Sequence, residues 1–275
     1  MWVVKASGET EKFDPEKIKR TCMKAGASEE LANKIAREVE KKSYDGISTR
    51  DILHIASSLL KKEKPMVAAR YDLKGAIFRL GPAGFTFEHL IGEIFKEYDY
   101  ETKVHSIIRG KCVSHEIDII VTKDDDNYMV ECKYHNIPGI YTGLREALYT
   151  YARFLDLQDG FKSGFCRKFN QPWLVCNTKF SEDAIQYANC KDMRLIGWNY
   201  PANQGLEYLI EKDRLYPITM LRKLDGDSLE RLANVNLLLV KDLIRIDIKE
   251  ISQITKIPKS KLKILSDEAK SICRV

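Results

Sequence analysis

The sequence predicts an α/β protein in which a mixed β-sheet flanked by helices lies between a mostly helical N-terminal segment and an all-helical C-terminal segment. Two observations predict this arrangement. Residues 85–200 alternate between amphipathic helical stretches and short apolar strand stretches, while the two ends show apolar residues at helical spacing after capping residues. We expect three domains, over residues 1–82, 83–203 and 204–275.

Composition narrows the class of protein. A chain of 275 residues that is 44% hydrophobic and 31% charged has the composition of a globular protein with more than one core. There is no apolar run long enough to span a membrane and no signal-peptide pattern at the start, so we expect a cytoplasmic protein without a membrane partner. The seven cysteines form no CxxC pair, which argues against a disulfide framework or a zinc knuckle.

The N-terminal segment should begin with the strand WVVKA, a turn and a second extended stretch that reaches Phe13. Helix starts are then marked by capping residues or prolines, at Asp14–Pro15, Ser28, Ser48 or Thr49, and Pro65. The first helix should stop at Gly26, and the last should run from Pro65 through Phe78.

This segment resembles the ATP-cone, a nucleotide-sensing domain. The matching pieces, in the family's order, are VVKASGETEKFDPEKIKRT, GISTRDI and VAARYDLKGAIFRL. The chain has KASG where the family usually has a basic–acidic pair. The resemblance implies that ATP or dATP binds as an allosteric ligand, and no GxxxxGK[ST] motif indicates a P-loop ATPase.

Four residues are candidates for nucleotide binding. Lys5 on the strand and Lys17 and Arg20 on the first helix are expected to converge on phosphates, because the strand and the helix start are adjacent. Thr49 lies at a helix start, where its hydroxyl would face a phosphate or the base. The alternative is a small helical domain whose lysines are simply solvated.

The central segment follows GPAG at 81–84, a break between domains. The expected elements are a helix at 85–98, strands at 103–110, 115–123 and 128–135, a helix at 142–157, a strand at 171–177, a helix at 181–190 and a strand at 193–198. The turn DDDN at 124–127 favours a hairpin between the second and third strands.

That hairpin contains the residues that most clearly suggest a metal-binding catalytic site. Glu131 and Lys133 are two apart on one strand and therefore face the same side, and the hairpin brings Asp118 to the neighbouring strand. Two carboxylates are suited to Mg²⁺ or Mn²⁺, and a lysine can orient water or stabilise developing charge. The alternative is a solvated salt-bridge ladder, which the apolar residues around these positions disfavour.

The same stretch resembles the Mrr-type restriction endonucleases of the PD-(D/E)xK class. The matching pieces are GFTFEHLIGEIF, HEIDIIV, YMVECKYHN and WLVCNTKFSEDAIQYA with the later RLIGW. The resemblance implies a restriction-endonuclease-like fold. It also implies a catalytic set of Glu88, Asp118, Glu131 and Lys133, with Glu88, Asp118 and Glu131 as metal ligands; His135 ranks below these four.

Residues 216–275 should form four short helices, and they resemble the helix-hairpin-helix domains of DNA recombination and repair proteins. The resemblance rests on the stretch LLLVKDLIRIDIKEISQITKIPKSKLKILSDEAK, in which Ile257-Pro258-Lys259 takes the place of a GxG loop. A protein-interaction module is an equal alternative to a DNA-binding one.

Together these features predict a Mg²⁺- or Mn²⁺-dependent DNA endonuclease with an adenine-nucleotide-binding regulatory domain. Its partners would be DNA and ATP or dATP, and it could act as a homodimer, because cutting both strands usually needs two active sites. The alternatives are a DNA-binding protein with a silent nuclease fold and a nucleotide-sensing regulator in which the cone is the working part.

Overall fold

The computed structural model describes residues 1–81 and 85–273 and contains two compact units. The first comprises the described residues of Met1–Arg79, Tyr216–Leu232 and Val240–Val275, and the second those of Leu80–Leu215 and Ala233–Leu239. The predicted break at 81–84 falls mostly on residues 82–84, which lie outside the described residues. The three-domain division therefore stays a prediction.

The first unit begins with a small sheet and five helices. Strand β1 (Trp2–Val4) pairs antiparallel with β2 (Thr10–Lys12) and parallel with β3 (Ile47–Ser48). The helices are α1 (Pro15–Lys24), α2 (Glu29–Lys42), α3 (Thr49–Glu63), α4 (Pro65–Tyr71) and α5 (Leu73–Phe78). Their apolar faces, including Ile18, Ile35 and Leu60, form one buried core.

The predicted helix starts are present. The side chains of Asp14, Ser28 and Ser48 accept hydrogen bonds from the first-turn amides of α1, α2 and α3. The prediction of a single helix from Pro65 to Phe78 is wrong, because the helix breaks at Asp72. The Asp72 carboxylate folds over Gly75, where an added Cβ would lie 2.1 Å from Oδ1, and such local side-chain contacts compete with a continuous helix.

The second unit is built on a five-stranded mixed sheet. Its strands are β4 (Glu101–Arg109), β5 (Ser114–Lys123), β6 (Asp126–Lys133), β8 (Gln171–Cys176) and β10 (Arg194–Ile196), in the order β10-β8-β6-β5-β4. Strands β4, β5 and β6 are antiparallel neighbours, and β8 and β10 continue parallel to β6. Two short strands, β7 (Tyr141–Thr142) and β9 (Lys179–Phe180), pair separately.

Helices cover both faces of this sheet. They are α6 (Phe85–Lys96), α7 (Leu144–Lys162) and α8 (Glu182–Cys190), and α9 (Leu206–Lys212) follows the last strand. On β8, Trp173 packs against Phe95 of α6, while its neighbour Leu174 packs in a cluster with Ala147 of α7. Because adjacent strand residues point to opposite faces, α6 and α7 lie on opposite sides of the sheet. The predicted mixed sheet flanked by helices is confirmed.

The C-terminal part of the first unit contains a 3-10 turn, Ile218–Met220, and the helices α10 (Gly226–Ala233), α11 (Asp242–Arg245), α12 (Ile248–Thr255) and α13 (Lys259–Cys273). Thr219 donates to the carbonyl of Ala76 at 2.6 Å, and Arg70 of α4 donates to the carbonyl of Ile272 at 2.5 Å. These contacts join both ends of the chain in one unit. Across the described ranges, no helix combines the length and apolar character needed to cross a bilayer.

Candidate active site

The candidate site lies where β5 and β6 separate. Their ladder runs from Lys123↔Asp126 to Ile119↔Val130, and the same register places Asp118 across from Glu131. Instead of a further ladder bond, Oδ2 of Asp118 accepts a hydrogen bond from the backbone N–H of Cys132 at 2.7 Å. Residues opposite each other on antiparallel strands share a face, so the two carboxylates lie together, and Lys133 follows on the same side.

Two further side chains approach from β4 and α6. Glu88 lies in the first turn of α6, and its Oε2 is 3.3 Å from Nε2 of His105. The other ring nitrogen of His105, Nδ1, is 3.6 Å from Oε1 of Glu116. His105 stands across from Asp118, between the registered pairs that flank it. Its φ of +49° lies in the left-handed region, which is uncommon for residues other than glycine and recurs at functional sites. The motifs did not indicate His105.

The acidic groups perturb one another. Burial raises the pKa of Glu88 to about 7, and the charges of Asp118 and Glu131 add to the shift. Burial and the charge of Asp118 also raise the pKa of Glu131 to about 7. The pKa of Asp118 is raised by burial, although the Cys132 N–H opposes the shift. Carboxylates this close favour either a shared proton or a bound cation.

Arg153 of α7 supplies a positive charge to this site. Its guanidinium donates to Oε2 of Glu131 and lies 5.2 Å from the centre of the Tyr149 ring. The sequence did contain a signal for it. Arg153 falls on the buried stripe of α7, between Thr150 and Leu157, where a charged residue needs a partner.

A cavity of about 310 Å³ opens beside the carboxylates. It is lined by Glu131, Lys133, Arg145, Glu146, Tyr149, Thr150 and Leu174. Tyr149 is 57% exposed, whereas Tyr151 and Phe154 pack against buried clusters. Two carboxylates, two cationic side chains and an accessible aromatic ring therefore line the cavity.

The acidic side chains of the site match part of the ligand set that a divalent cation needs. Within residues 1–81 and 85–273, no group of three or more His, Cys, Asp or Glu side chains is arranged to hold a metal ion. The pair Asp118 and Glu131 nevertheless fits Mg²⁺ or Mn²⁺, because these ions take carboxylate oxygens and fill other positions with water and phosphate. The placement of both carboxylates on one face supports this fit, and burial raises the pKa of each.

His135, the lower-ranked candidate of the sequence, anchors the chain that follows β6. Its backbone N–H donates to Oδ1 of Asn177 at 2.8 Å, and its carbonyl accepts from the same amide group at 2.7 Å. Its ring contacts the Thr142 hydroxyl at 2.9 Å, and burial lowers its pKa. These contacts give it a structural role next to the site.

In the first unit, two of the four nucleotide-binding candidates meet. Nζ of Lys5 and Nζ of Lys17 lie 3.5 Å and 2.9 Å from the same oxygen of Glu11. Arg20 is 3.7 Å from Asp14. Thr49 is the first residue of α3, whose cap is the Ser48 side chain. Two ammonium groups are thus gathered around one carboxylate near the start of α1.

Comparisons with known proteins agree with this architecture. Family models match at residues 1–73 (ATP cone domain), 82–199 (Restriction endonuclease) and 216–273 (AF1548-like, C-terminal). A protein of Archaeoglobus fulgidus described as uncharacterized is 42% identical over 182 residues, which cover 66% of this chain and 99% of that protein. The crystal structure of AF1548, a protein of unknown function, is 40% identical with a TM-score of 0.62. It covers 69% of this chain and 98% of the solved one.

These matches confirm the resemblances to the ATP-cone and to the restriction endonucleases, together with the restriction-endonuclease-like fold. Along the chain, an ATP cone is followed by a restriction endonuclease domain that contains Asp118 and Glu131, and then by an AF1548-like C-terminal domain. The chain belongs to the family represented by the Archaeoglobus fulgidus protein, and it joins a nuclease-type domain to a nucleotide-binding type of domain.

Proposed function

We propose that this chain is a metal-dependent DNA endonuclease whose activity responds to ATP or dATP. The observation that carries this function is the opposition of Asp118 and Glu131 at the open end of the β5–β6 ladder, with Lys133 on the same face. The restriction endonuclease match over the same residues supports it.

In this reaction a water oxygen bonds to phosphorus while one P–O ester bond breaks, which leaves a phosphate monoester and an alcohol. Asp118 and Glu131 would hold Mg²⁺ or Mn²⁺, and Glu88 would support them from α6. When bound, such an ion would lower the pKa of the attacking water and neutralise charge on the phosphate. The Lys133 ammonium would orient that water or stabilise the charge that develops on the phosphate.

The N-terminal segment would regulate cleavage, and the C-terminal helices would bind a partner. Lys5 and Lys17, already gathered around Glu11, would exchange that carboxylate for the phosphates of ATP or dATP. The helices α12 and α13, joined through a short turn at 256–258, would contact DNA or a protein partner. A homodimer would let two sites cut both strands.

The test is cleavage of supercoiled plasmid and branched DNA with Mg²⁺ or Mn²⁺, with and without ATP. Lys133→Ala should reduce cleavage by roughly 100-fold or more, because it removes a charge aimed at the reacting phosphate. Lys168→Ala is the matched control, since Lys168 is exposed and precedes the start of β8, at the opposite end of the sheet from Lys133.

A second function remains in competition because Arg153 already takes one oxygen of Glu131. In that case the chain is a nucleotide-sensing DNA-binding regulator whose nuclease site is silent. DNA and ATP binding without cleavage of any substrate, for both wild type and Lys133→Ala, would establish this second function and overturn the first.

A further inference from the structure

Arg153 is a buried cation placed against one of the two proposed metal ligands. Its side chain is 9% exposed and it donates to Oε2 of Glu131, whose side chain is 19% exposed. A buried charge is costly when it lacks a partner, so arginine and glutamate stabilise each other while no metal is present.

The charge of Arg153 acts on both carboxylates. Burial raises the pKa of Asp118 and of Glu131, and the guanidinium of Arg153 lowers both. A divalent cation between the same carboxylates would relieve the same repulsion. Arg153 and a bound metal therefore supply charge of the same sign to the same pair.

Neighbouring groups keep Arg153 at this position. It lies one helical turn after Tyr149, and its guanidinium faces the Tyr149 ring at 5.2 Å. An arginine held over an aromatic face gains cation–π stabilisation and loses little further freedom when it binds a carboxylate. The ring and Glu131 together hold the guanidinium beside the site.

We infer that Arg153 is a positioning residue that serves as the internal counter-ion of the acidic site. It holds Oε2 of Glu131 when no metal is bound, and a divalent cation competes with it for Glu131. This role rests on the proposed function, because it takes Asp118 and Glu131 as the ligands.

The first experiment measures Mn²⁺ binding by calorimetry without DNA. Arg153→Met keeps much of the side-chain volume and removes the charge, so Mn²⁺ should bind roughly tenfold more tightly than in wild type. Arg153→Lys keeps the charge, and its affinity should stay near wild type. Arg145→Met is the matched control: Arg145 lines the same cavity from α7, but is exposed, and its loss should change affinity much less.

The second experiment measures melting temperature in EDTA and needs no metal. Arg153→Met should melt below wild type because Glu131 is left buried without its counter-ion. Adding Glu131→Gln to that variant should recover part of the loss, since the unpaired charge is gone. An arginine that only fills space would not be rescued in this way.

Unchanged or weaker Mn²⁺ binding by Arg153→Met would overturn the counter-ion role, and so would the absence of rescue by Glu131→Gln. The Mn²⁺ titrations distinguish this outcome from a failure of the proposed metal site. If wild type and Glu131→Gln give the same Mn²⁺ titration, Glu131 is not a ligand, and the proposed function and the counter-ion role both fall. If Glu131→Gln loses Mn²⁺ binding while Arg153→Met binds as wild type does, only the counter-ion role falls.

Discussion

The carboxylate of Asp118 accepts a 2.7 Å hydrogen bond from the backbone N–H of Cys132, at the point where β5 and β6 separate. This bond replaces a ladder bond and fixes the carboxylate opposite Glu131. The contact needs an acceptor oxygen but no negative charge, whereas metal binding needs the charge. A substitution can therefore separate the structural role of Asp118 from its proposed catalytic role.

Asp118→Asn should keep the fold and lose cleavage. The amide oxygen can still accept from Cys132, and removal of one buried carboxylate relieves repulsion with Glu131, so the melting temperature in EDTA should not fall. Plasmid cleavage should drop at least roughly 100-fold. Asp124→Asn is the control, because Asp124 lies in the hairpin turn at a φ of +51°, which asparagine adopts readily. Cleavage that survives in Asp118→Asn would remove Asp118 from the catalytic set.

The stability of the metal-free protein should fall as pH rises from about 4.5 to about 7. Folding raises the pKa of Glu88 and Glu131 from 4.5 to about 7, so the folded chain binds more protons than the unfolded chain across this window. Stability is then highest below the unfolded value and decreases until both groups ionise. Melting temperatures in EDTA from about pH 5 to about pH 8 measure this slope.

Charged residues around Glu88 and Glu131 set the size of this pH dependence. Asp118 raises the pKa of both glutamates, while Arg153 and Lys133 lower that of Glu131. The double variant Glu88→Gln with Glu131→Gln should flatten the curve, and Mn²⁺ should flatten it in wild type. An equal slope in the double variant would show that other groups cause it.

Lys17→Ala should weaken ATP or dATP binding by roughly tenfold or more, because it removes one charge-assisted contact to a phosphate. Lys19→Ala is the control on the same helix. Lys19 pairs with Glu29 at 2.9 Å, and residues two apart on a helix face different directions. Calorimetric titration of each variant with ATP measures the difference. If Lys19→Ala weakened binding as much as Lys17→Ala, the phosphate site would not be centred on Lys5 and Lys17.

Arg70→Ala should destabilise the first unit by about 2 kcal/mol, because it removes a buried charge-assisted hydrogen bond to the Ile272 carbonyl. Arg70 also lies 5.4 Å from the centre of the Tyr216 ring. Arg79→Ala removes a partly exposed ion pair with Asp72 and should cost less than about 1 kcal/mol. Hydrogen exchange of the amides in α4 and α13 reports both changes. Equal acceleration in the two variants would show that Arg70 does not tie the C-terminal helices to the cone.

Local chemistry made much of the molecule predictable. Asp14, Ser28 and Ser48 cap helices because their side-chain oxygens accept from first-turn amides, whatever the rest of the chain does. Strand alternation likewise put Glu131 and Lys133 on one face, and the DDDN turn brought Asp118 to the adjacent strand. These inferences need only a few neighbouring residues.

Contacts between distant residues could not be predicted in this way. Arg153 meets Glu131 because α7 packs across the sheet, and His105 stands opposite Asp118 through the register of β4 with β5. Arg70 meets Ile272 although they are 202 residues apart in the chain. The helix starts, the strand faces and the candidate catalytic motif followed from the sequence alone, since these depend on short-range geometry. Which charges share a buried site became visible only in the folded molecule, because the packing of distant elements selects those partners.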